Sequence, residues 1–325
     1  MKIKNILILL SLIIYTKAIL RKISTEYETI SEKPDITIDG IKIEGEIFRP
    51  KDSSANKKYP GIILVHGFGG SYKTQPYQYA QFYAKYGFVS YVITIPQVAR
   101  NSVIYEANRI NKIIDEFKKL NYVNTTQLFL YGESQGGFDV SNVASGRNDI
   151  KNLILFYPAY VIHDDCLKRH SESGQYEPKL DPDDFPFNMT ELEKMDFPAE
   201  ETIGFNNVKH PYTRDALSFN IYERIKNYKN NVLIVHGDKD TVVPLNYSRR
   251  AIDPVEGFPE AELKIIEGAG HGFYYGESVE LSKQYSLEFL LNNSEIDNED
   301  YSTDQSNQNI CKISLLILIL NILLF

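Results

Sequence analysis

Six short apolar runs recur along the chain, and stretches with a helical spacing of apolar residues separate them. The runs cover residues 61–65, 89–95, 128–131, 153–157, 232–235 and 263–266. Strands that are apolar on both faces belong to a parallel sheet that helices cover on each side. The alternation of strands and helices therefore predicts an α/β fold, with an open, mostly parallel sheet and helices on both faces.

Two of the intervals carry a clear helical stripe. Apolar side chains recur at three- and four-residue spacing at Ile104, Ala107, Ile110, Ile114 and Phe117. A similar stripe over residues 284–291 predicts a last helix that closes the core. Ahead of the first run, apolar residues alternate from 36 to 48 around Asp39-Gly40, which predicts a two-stranded hairpin with a primed turn.

Composition narrows the classes of function. Of the 325 residues, 43% are hydrophobic and 24% are charged, which are globular values that exclude disorder as the main state. The formal net charge of −8 lacks the basic footprint that a phosphate backbone requires, so we predict no nucleic-acid partner. Two cysteines cannot build a disulfide framework or a zinc site of four ligands.

The strongest local signal is Gly132-Glu133-Ser134-Gln135-Gly136, which directly follows an apolar run and opens a helix. A serine hydroxyl is a poor nucleophile unless it is exposed on a tight turn beside a base and near a helix N-terminus. The two glycines remove side chains that would collide where strand and helix meet at so sharp a turn. This context predicts Ser134 as a catalytic nucleophile.

A carboxylate and a histidine follow in the order that a Ser-Asp-His triad of this kind requires. Asp240 lies in the turn after the run at 232–235, and His271 lies in a glycine-bounded loop after the last run. We predict that His271 takes the proton of Ser134 and that Asp240 orients the imidazole. Asp238 is the alternative acid.

The first apolar run ends in His66-Gly67-Phe68-Gly69-Gly70. Glycines there let the backbone approach a bound ligand, so that an N–H group can point at a developing oxyanion. We assign the N–H groups of Phe68 and Gln135 to this oxyanion hole. His66 is interpreted as a structural residue that holds the loop, and not as the general base.

Together these motifs resemble the serine α/β-hydrolase superfamily, and within it the feruloyl (cinnamoyl) esterases and the esterases similar to S9 and S33 peptidases. The resemblance covers roughly residues 36–291 and implies an α/β-hydrolase fold. The sequence departs from the esterase pattern at Glu133, where that family commonly has histidine.

The stretch between Pro158 and Val232, about seventy residues, is far longer than a crossover helix needs and predicts a cap over the site.

The resemblance implies a serine hydrolase that cleaves small-molecule carboxylic esters, such as hydroxycinnamoyl esters, through an acyl-enzyme. It places Tyr212 over the acyl pocket and Asp164 or Asp165 near a phenolic hydroxyl. A serine peptidase or thioesterase of the same fold remains an alternative, and a non-catalytic surface binding module is a second. His163-Asp164-Asp165 is too compact to surround a metal ion, and we predict no metal and no cofactor.

The predicted organisation is a signal peptide over residues 1–18, a hydrolase domain over 34–292 with its cap at about 159–228, a polar spacer over 293–312 and an apolar tail over 313–325. The tail is interpreted as a GPI-attachment signal, a short membrane anchor or a surface-docking segment, and an N-terminal anchor is the alternative to the signal peptide. We therefore expect a secreted or surface-anchored protein whose only membrane association is through a terminal anchor.

Loss of the tail would remove Cys311, so we predict no disulfide with Cys166. Four glycosylation sequons begin at Asn124, Asn188, Asn246 and Asn292.

Overall fold

The protein was analysed as a computed structural model, which describes residues 26–96, 102–173, 187, 189–192, 200–203, 206–218 and 220–296. Residues 27–295 form one compact unit. The strands described are β1 Thr29–Glu32, β2 Thr37–Ile38, β3 Ile41–Lys42, β4 Gly45–Pro50, β5 Tyr59–Val65, β6 Val89–Ile93, β7 Val123–Glu133, β8 Ile150–Phe156, β9 Glu200–Ile203, β10 Asn206–Lys209, β11 Val232–Gly237 and β12 Ala261–Ile266.

Helices occupy most of the intervals between these strands. They are α1 Gln75–Lys85, α2 Val103–Phe117, α3 Gln135–Ala144, α4 Ile162–Ser173, α5 Met189–Leu192, α6 His210–Leu217, α7 Ile221–Ile225, α8 Leu245–Ala251 and α9 Glu277–Asn292. The helix predicted over residues 284–291 is the second half of α9. Helices α4 to α7 and strands β9 and β10 belong to the interval between β8 and β11 that was predicted to be a cap.

The main sheet has the strand order β1-β4-β6-β5-β7-β8-β11-β12 within the described residues. From β6 to β12 all neighbouring strands are parallel, and β4 is antiparallel to both β6 and β1. Strands β5, β6, β8 and β11 are buried almost throughout, as strands covered on both faces should be. The prediction of a mostly parallel α/β sheet is confirmed.

The hairpin near the start of the domain is shorter than predicted. Asp39 and Gly40 both have positive φ, 51° and 76°, as a primed turn requires, but the turn joins only the two-residue strands β2 and β3. The prediction that the hairpin extends to residue 48 is wrong, because β4 leaves it and joins the main sheet. Gly45 permits this close pairing, since a Cβ there would lie 2.5 Å from the carbonyl oxygen of Val92.

The apolar stripe of α2 faces the core as predicted, with one exception. Ala107, Ile110, Ile114 and Phe117 are buried, whereas Ile104 is 37% exposed. Val103 is buried in its place at the start of the helix. The predicted stripe was therefore displaced by one residue in the first turn.

The terminal predictions concern residues that the structure mostly does not describe. The signal peptide at 1–18, the tail at 313–325, Cys311 and Asn188 lie outside the described residues, as does all but the start of the spacer. Across the ranges that are described, no helix is both long and apolar enough to cross a bilayer. Cys166 is buried in α4.

Candidate active site

The loops at the carboxyl ends of β5, β7, β11 and β12 form one surface, which we call the carboxyl edge (residues 66–70, 132–137, 237–243 and 268–273). The chain passes from β5 to β6 on one side of β5 and later returns to β7 on its other side. In open α/β sheets, ligands bind outside the carboxyl ends of the strands at such a reversal of strand order. The topology therefore places the predicted motifs where ligands bind in this class of fold.

Ser134 stands at the turn between β7 and α3 with φ of 50° and ψ of −121°, a strained conformation for a residue with a side chain. Gly132 and Gly136 make the turn possible. A Cβ on Gly132 would lie 2.3 Å from the carbonyl oxygen of Gly136, and a Cβ on Gly136 would lie 2.5 Å from that of His66. Neither position leaves room for a larger residue.

Three side chains from distant parts of the sequence meet at this turn. The Nε2 atom of His271 lies 3.0 Å from the Oγ atom of Ser134, and its Nδ1 atom lies 2.7 Å from Oδ2 of Asp240. Both distances are within hydrogen-bond range. The predicted nucleophile, base and acid thus form one continuous chain of hydrogen bonds.

Asp240 is held as an anion. Burial alone would raise its pKa, but hydrogen bonds from His236, His271 and the N–H of Val243 outweigh that effect and lower the pKa well below its ordinary value. Its Oδ1 atom accepts hydrogen bonds from the N–H groups of Val242 and Val243, at 2.9 and 2.8 Å. The carboxylate is therefore fixed in orientation as well as in charge.

Asp238, the alternative acid, occupies a different place. Its Oδ1 atom accepts a hydrogen bond of 2.6 Å from the N–H of Gly268, at the start of the loop that carries His271. Its Oδ2 atom lies 3.6 Å from the Nζ atom of the exposed Lys239. Asp238 therefore fixes the start of the histidine loop through the N–H of Gly268, and Asp240 is the carboxylate in contact with the imidazole.

The loop after β5 lies against the nucleophile. A Cβ on Gly67 would be 3.1 Å from the Cβ of Ser134. His66 accepts a hydrogen bond from the N–H of Ile95 at Nε2 (3.1 Å), and its Nδ1–H donates to the carbonyl oxygen of Gly67 (2.6 Å). These contacts fit the interpretation that His66 holds the loop that carries Phe68.

The two residues predicted for the oxyanion hole flank Ser134. Phe68 follows Gly67 in the loop that touches the nucleophile. Gln135 is the first residue of α3, a position whose N–H has no acceptor within its own helix. The helix dipole adds positive potential at the same place.

The predicted cap residues divide into two groups. Tyr212 in α6 is buried, donates a hydrogen bond of 3.1 Å to Oε1 of Gln135, and lies edge-on to Phe68 with ring centroids 6.1 Å apart. It therefore contacts both residues of the predicted oxyanion hole. Asp164 has different partners: it accepts a hydrogen bond of 2.7 Å from the hydroxyl of Tyr247 in α8, and Asp165 follows it in α4.

Comparison with known proteins shows the family and the fold of this chain. The model of the family described as serine aminopeptidase, S33, matches residues 60–278. This chain belongs to that family. Its fold is that of the α/β-hydrolases, and its overall likeness is to the feruloyl-esterase-like members of the serine hydrolases.

Among solved structures, Est1E from Butyrivibrio proteoclasticus is similar to this chain, with 26% identity over 81% of this chain and 98% of Est1E and a TM-score of 0.65. The same protein with ferulic acid bound gives 26% identity, coverage of 79% and 98%, and a TM-score of 0.63. An α/β-hydrolase from Penicillium sp. sh18, GrgF, shares the fold at 18% identity over 82% of this chain and 99% of its own, with a TM-score of 0.59.

A curated relative of this chain is a much longer protein. The probable dipeptidyl-aminopeptidase B of Arthroderma otae is 23% identical over an alignment of 294 residues that covers 84% of this chain. The alignment spans only 28% of that relative's length. This chain thus corresponds to a part of the longer protein.

The sequence interpretation missed His236, whose imidazole the structure places in contact with the carboxylate of Asp240. It is fully buried, its Nε2 atom lies 2.9 Å from the carbonyl oxygen of Val243 and 3.2 Å from Oδ2 of Asp240, and its Nδ1 atom lies 2.7 Å from Oγ of Ser248. The available signal was its position, since a histidine at the end of a wholly apolar strand must have buried hydrogen-bond partners.

Proposed function

We propose that this chain is a serine hydrolase that cleaves carboxylic esters through an acyl-enzyme on Ser134. The observation that supports it best is the continuous hydrogen-bonded chain from Ser134 through His271 to Asp240.

In the proposed mechanism, His271 Nε2 takes the hydroxyl proton as Ser134 Oγ attacks the carbonyl carbon. Asp240 accepts a hydrogen bond from the Nδ1–H of His271 and stabilises the imidazolium that forms. His271 then returns the proton to the leaving alkoxide, and a water molecule, activated by the same imidazole, releases the acid.

The N–H groups of Phe68 and Gln135 would stabilise the negative oxygen of the tetrahedral intermediate. Removing one donor of an oxyanion hole costs other enzymes about 10²- to 10³-fold in turnover. Tyr212 supports this role indirectly, because it contacts Gln135 through its hydroxyl and Phe68 through its ring. It would also form the part of the acyl pocket nearest to the oxyanion hole, while Asp164 or Asp165 would meet a phenolic group further out.

Hydroxycinnamoyl esters are the proposed substrates. The support is the likeness to Est1E, which has been solved with ferulic acid bound. A peptide substrate is the second candidate, because the family model describes serine aminopeptidases and the curated relative is a probable dipeptidyl-aminopeptidase.

We further propose a secreted or surface-anchored location for the enzyme, based on the apolar segments at both ends of the sequence.

A substrate panel tests the bond that is cleaved. Purified wild-type protein should hydrolyse methyl ferulate and p-nitrophenyl esters, and Ser134→Ala should lose several powers of ten in turnover. Aminoacyl anilides and acyl thioesters, assayed side by side, are expected to give lower kcat/KM values. Faster turnover of the anilides would favour the peptidase, and ester turnover unchanged in Ser134→Ala would contradict the proposal.

A further inference from the structure

A buried carboxyl group lies directly behind the proposed nucleophile, and the mechanism above does not use it. Glu133 is the last residue of β7 and immediately precedes Ser134. Glu133 is only 4% exposed to solvent. A buried ionisable group beside a reacting serine affects the electrostatics of the site whichever protonation state it has.

The carboxyl group has three hydrogen-bond partners from three segments. Its Oε1 atom accepts from the N–H of Gly67 at 3.3 Å. Its Oε2 atom lies 3.4 Å from the hydroxyl of Tyr131 in β7 and 3.3 Å from that of Tyr157, just after β8. Glu133 therefore ties the loop after β5 to the ends of β7 and β8.

Two of these partners also touch the proposed catalytic groups. Gly67 packs against Ser134 and precedes Phe68, so the hydrogen bond to Glu133 fixes the peptide next to the oxyanion hole. The ring of Tyr157 lies against the ring of His271, with centroids 4.6 Å apart. One carboxyl group thus supports both the oxyanion loop and a wall of the histidine site.

The surroundings of Glu133 favour its neutral form. The titratable groups that interact with it are the tyrosines Tyr79 on α1, Tyr131, Tyr157 and Tyr274 after β12, and burial raises the pKa of each of them. Gln75 on α1 contributes an uncharged amide that contacts Tyr131. Among the described residues, none of the groups that shift the pKa of Glu133 is a cation.

Burial raises the pKa of Glu133 to about 8, and the hydrogen bonds from Gly67, Tyr157 and Tyr131 oppose the shift only in part. A neutral carboxyl can accept from Gly67 at Oε1 and donate its own proton from Oε2 to one of the phenolic oxygens.

We propose that Glu133 is a positioning residue, which in its protonated form fixes the oxyanion loop and the wall of His271, and whose ionisation turns the site off in alkaline solution. The inference rests on the proposed function, because it concerns the same serine. The physical reason is electrostatic: a carboxylate beside the oxyanion loop would oppose the negative charge that develops on the substrate oxygen.

The test is the pH dependence of Ser134 labelling by a fluorophosphonate, which needs no knowledge of the substrate. The wild-type rate should fall about tenfold between about pH 7 and pH 9, because that interval spans the ionisation. In Glu133→Gln, which keeps an acceptor for Gly67 and a donor for a phenol but cannot ionise, the rate should change less than about twofold over the same interval. A merely structural role would not remove this pH dependence.

Tyr131→Phe is the matched second variant. It removes one of the hydrogen bonds that lower the pKa of Glu133 and leaves the ring of Tyr157 against His271. The alkaline fall should therefore move to higher pH. This variant also decides the matter if Glu133→Gln does not fold.

Each outcome bears on one of the two proposals. An alkaline fall with the same midpoint in Glu133→Gln, a midpoint unmoved in Tyr131→Phe, or a wild-type rate that does not fall would each overturn the role of Glu133. A wild-type protein that takes no label at any pH would instead contradict the proposed function, and the role of Glu133 with it.

Discussion

Close backbone packing at glycines shapes the carboxyl edge, whereas Tyr212 of the cap contacts the edge through its side chain. At the edge, Gly132 packs on Gly136, and a Cβ on Gly237 would lie 2.2 Å from the carbonyl oxygen of Ala269. Tyr212 bonds to Gln135 of the edge, while Asp215 and Asp164 of the cap bond to Ser102 and Tyr247, which lie outside the edge. Backbone contacts leave little freedom in position, while side-chain contacts change with single substitutions.

This difference assigns different tasks to the two regions. The edge brings together groups whose distances must be fixed for bond cleavage, and the cap supplies surfaces that can differ between related enzymes without loss of the reaction. We therefore expect substitutions at the edge to affect turnover, pH dependence or folding. Substitutions in the cap should affect substrate preference.

The largest expected effect is that of Asp240→Asn. The amide cannot stabilise the imidazolium, and it favours the wrong tautomer of His271, so kcat should fall about 10⁴-fold. Asp238→Asn is the matched control, because Asp238 accepts a hydrogen bond from the N–H of Gly268 and lies near the exposed Lys239, whereas Asp240 is the carboxylate that contacts His271. Steady-state kinetics that gave the larger loss in Asp238→Asn would reverse the assignment of the acid.

The next effect is on stability, and it depends on pH. Burial raises the pKa of Glu133 from 4.5 to about 8 in the folded protein. A group whose pKa is raised on folding contributes its full stabilisation below the unfolded pKa and loses it as the pH rises towards the folded pKa. Between about pH 5 and pH 8, the wild type should lose roughly 2–4 kcal/mol of unfolding free energy relative to Glu133→Gln.

Urea unfolding of both proteins at several pH values measures this difference. Parallel stability curves for the wild type and Glu133→Gln would mean that the carboxyl group is already ionised at low pH. That result would conflict with the burial of Glu133 and with the uncharged character of the described groups that shift its pKa.

Gly132→Ala tests the close packing of the edge. The new methyl group would lie 2.3 Å from a backbone oxygen that cannot move aside, and overpacking of this kind costs about 1–3 kcal/mol. Gly146→Ala is the control, because its Cβ would meet only the carbonyl oxygen of Val143 at 3.7 Å, an ordinary contact. Equal denaturation midpoints for the two variants would show that the turn is looser than its geometry indicates.

The smallest expected effect is that of Tyr212→Phe in the cap. It removes one hydrogen bond to Gln135 and keeps the ring against Phe68, so we expect kcat/KM to fall less than about tenfold. The change should differ between feruloyl and short-chain acyl esters. Tyr247→Phe, which removes the partner of Asp164, provides the comparison. A loss as large as that of Asp240→Asn would end the separation of tasks between edge and cap.

Much of the edge could be predicted from the sequence because its constraints are local. The apolar runs and the glycine spacing around Ser134 report on adjacent residues, and both are visible without knowledge of the fold. The order of Ser134, Asp240 and His271 then gave a set of residues that the structure brings within hydrogen-bond distance.

What escaped prediction depends on contacts between distant segments. The contact of His236 with Asp240 requires the register of β11 against the following turn, and the partners of Glu133 come from the loop after β5, from β7 and from the residue after β8. The prediction of how far the first hairpin extends failed for the same reason, since the alternating pattern of β4 fits a hairpin strand and a strand of the main sheet equally well. In the cap, Asp164 was expected near a phenolic group of the substrate, and the structure shows it bonded to the protein's own Tyr247 and His163.

The most direct test of the central claim is mass spectrometry of the protein after reaction with a fluorophosphonate. We predict one adduct per chain, located on Ser134 in the peptide that contains Gly132 to Gly136, and a strongly reduced rate in His271→Ala. An adduct on another serine, or equal labelling in His271→Ala, would contradict the claim that Ser134, His271 and Asp240 act as one catalytic unit.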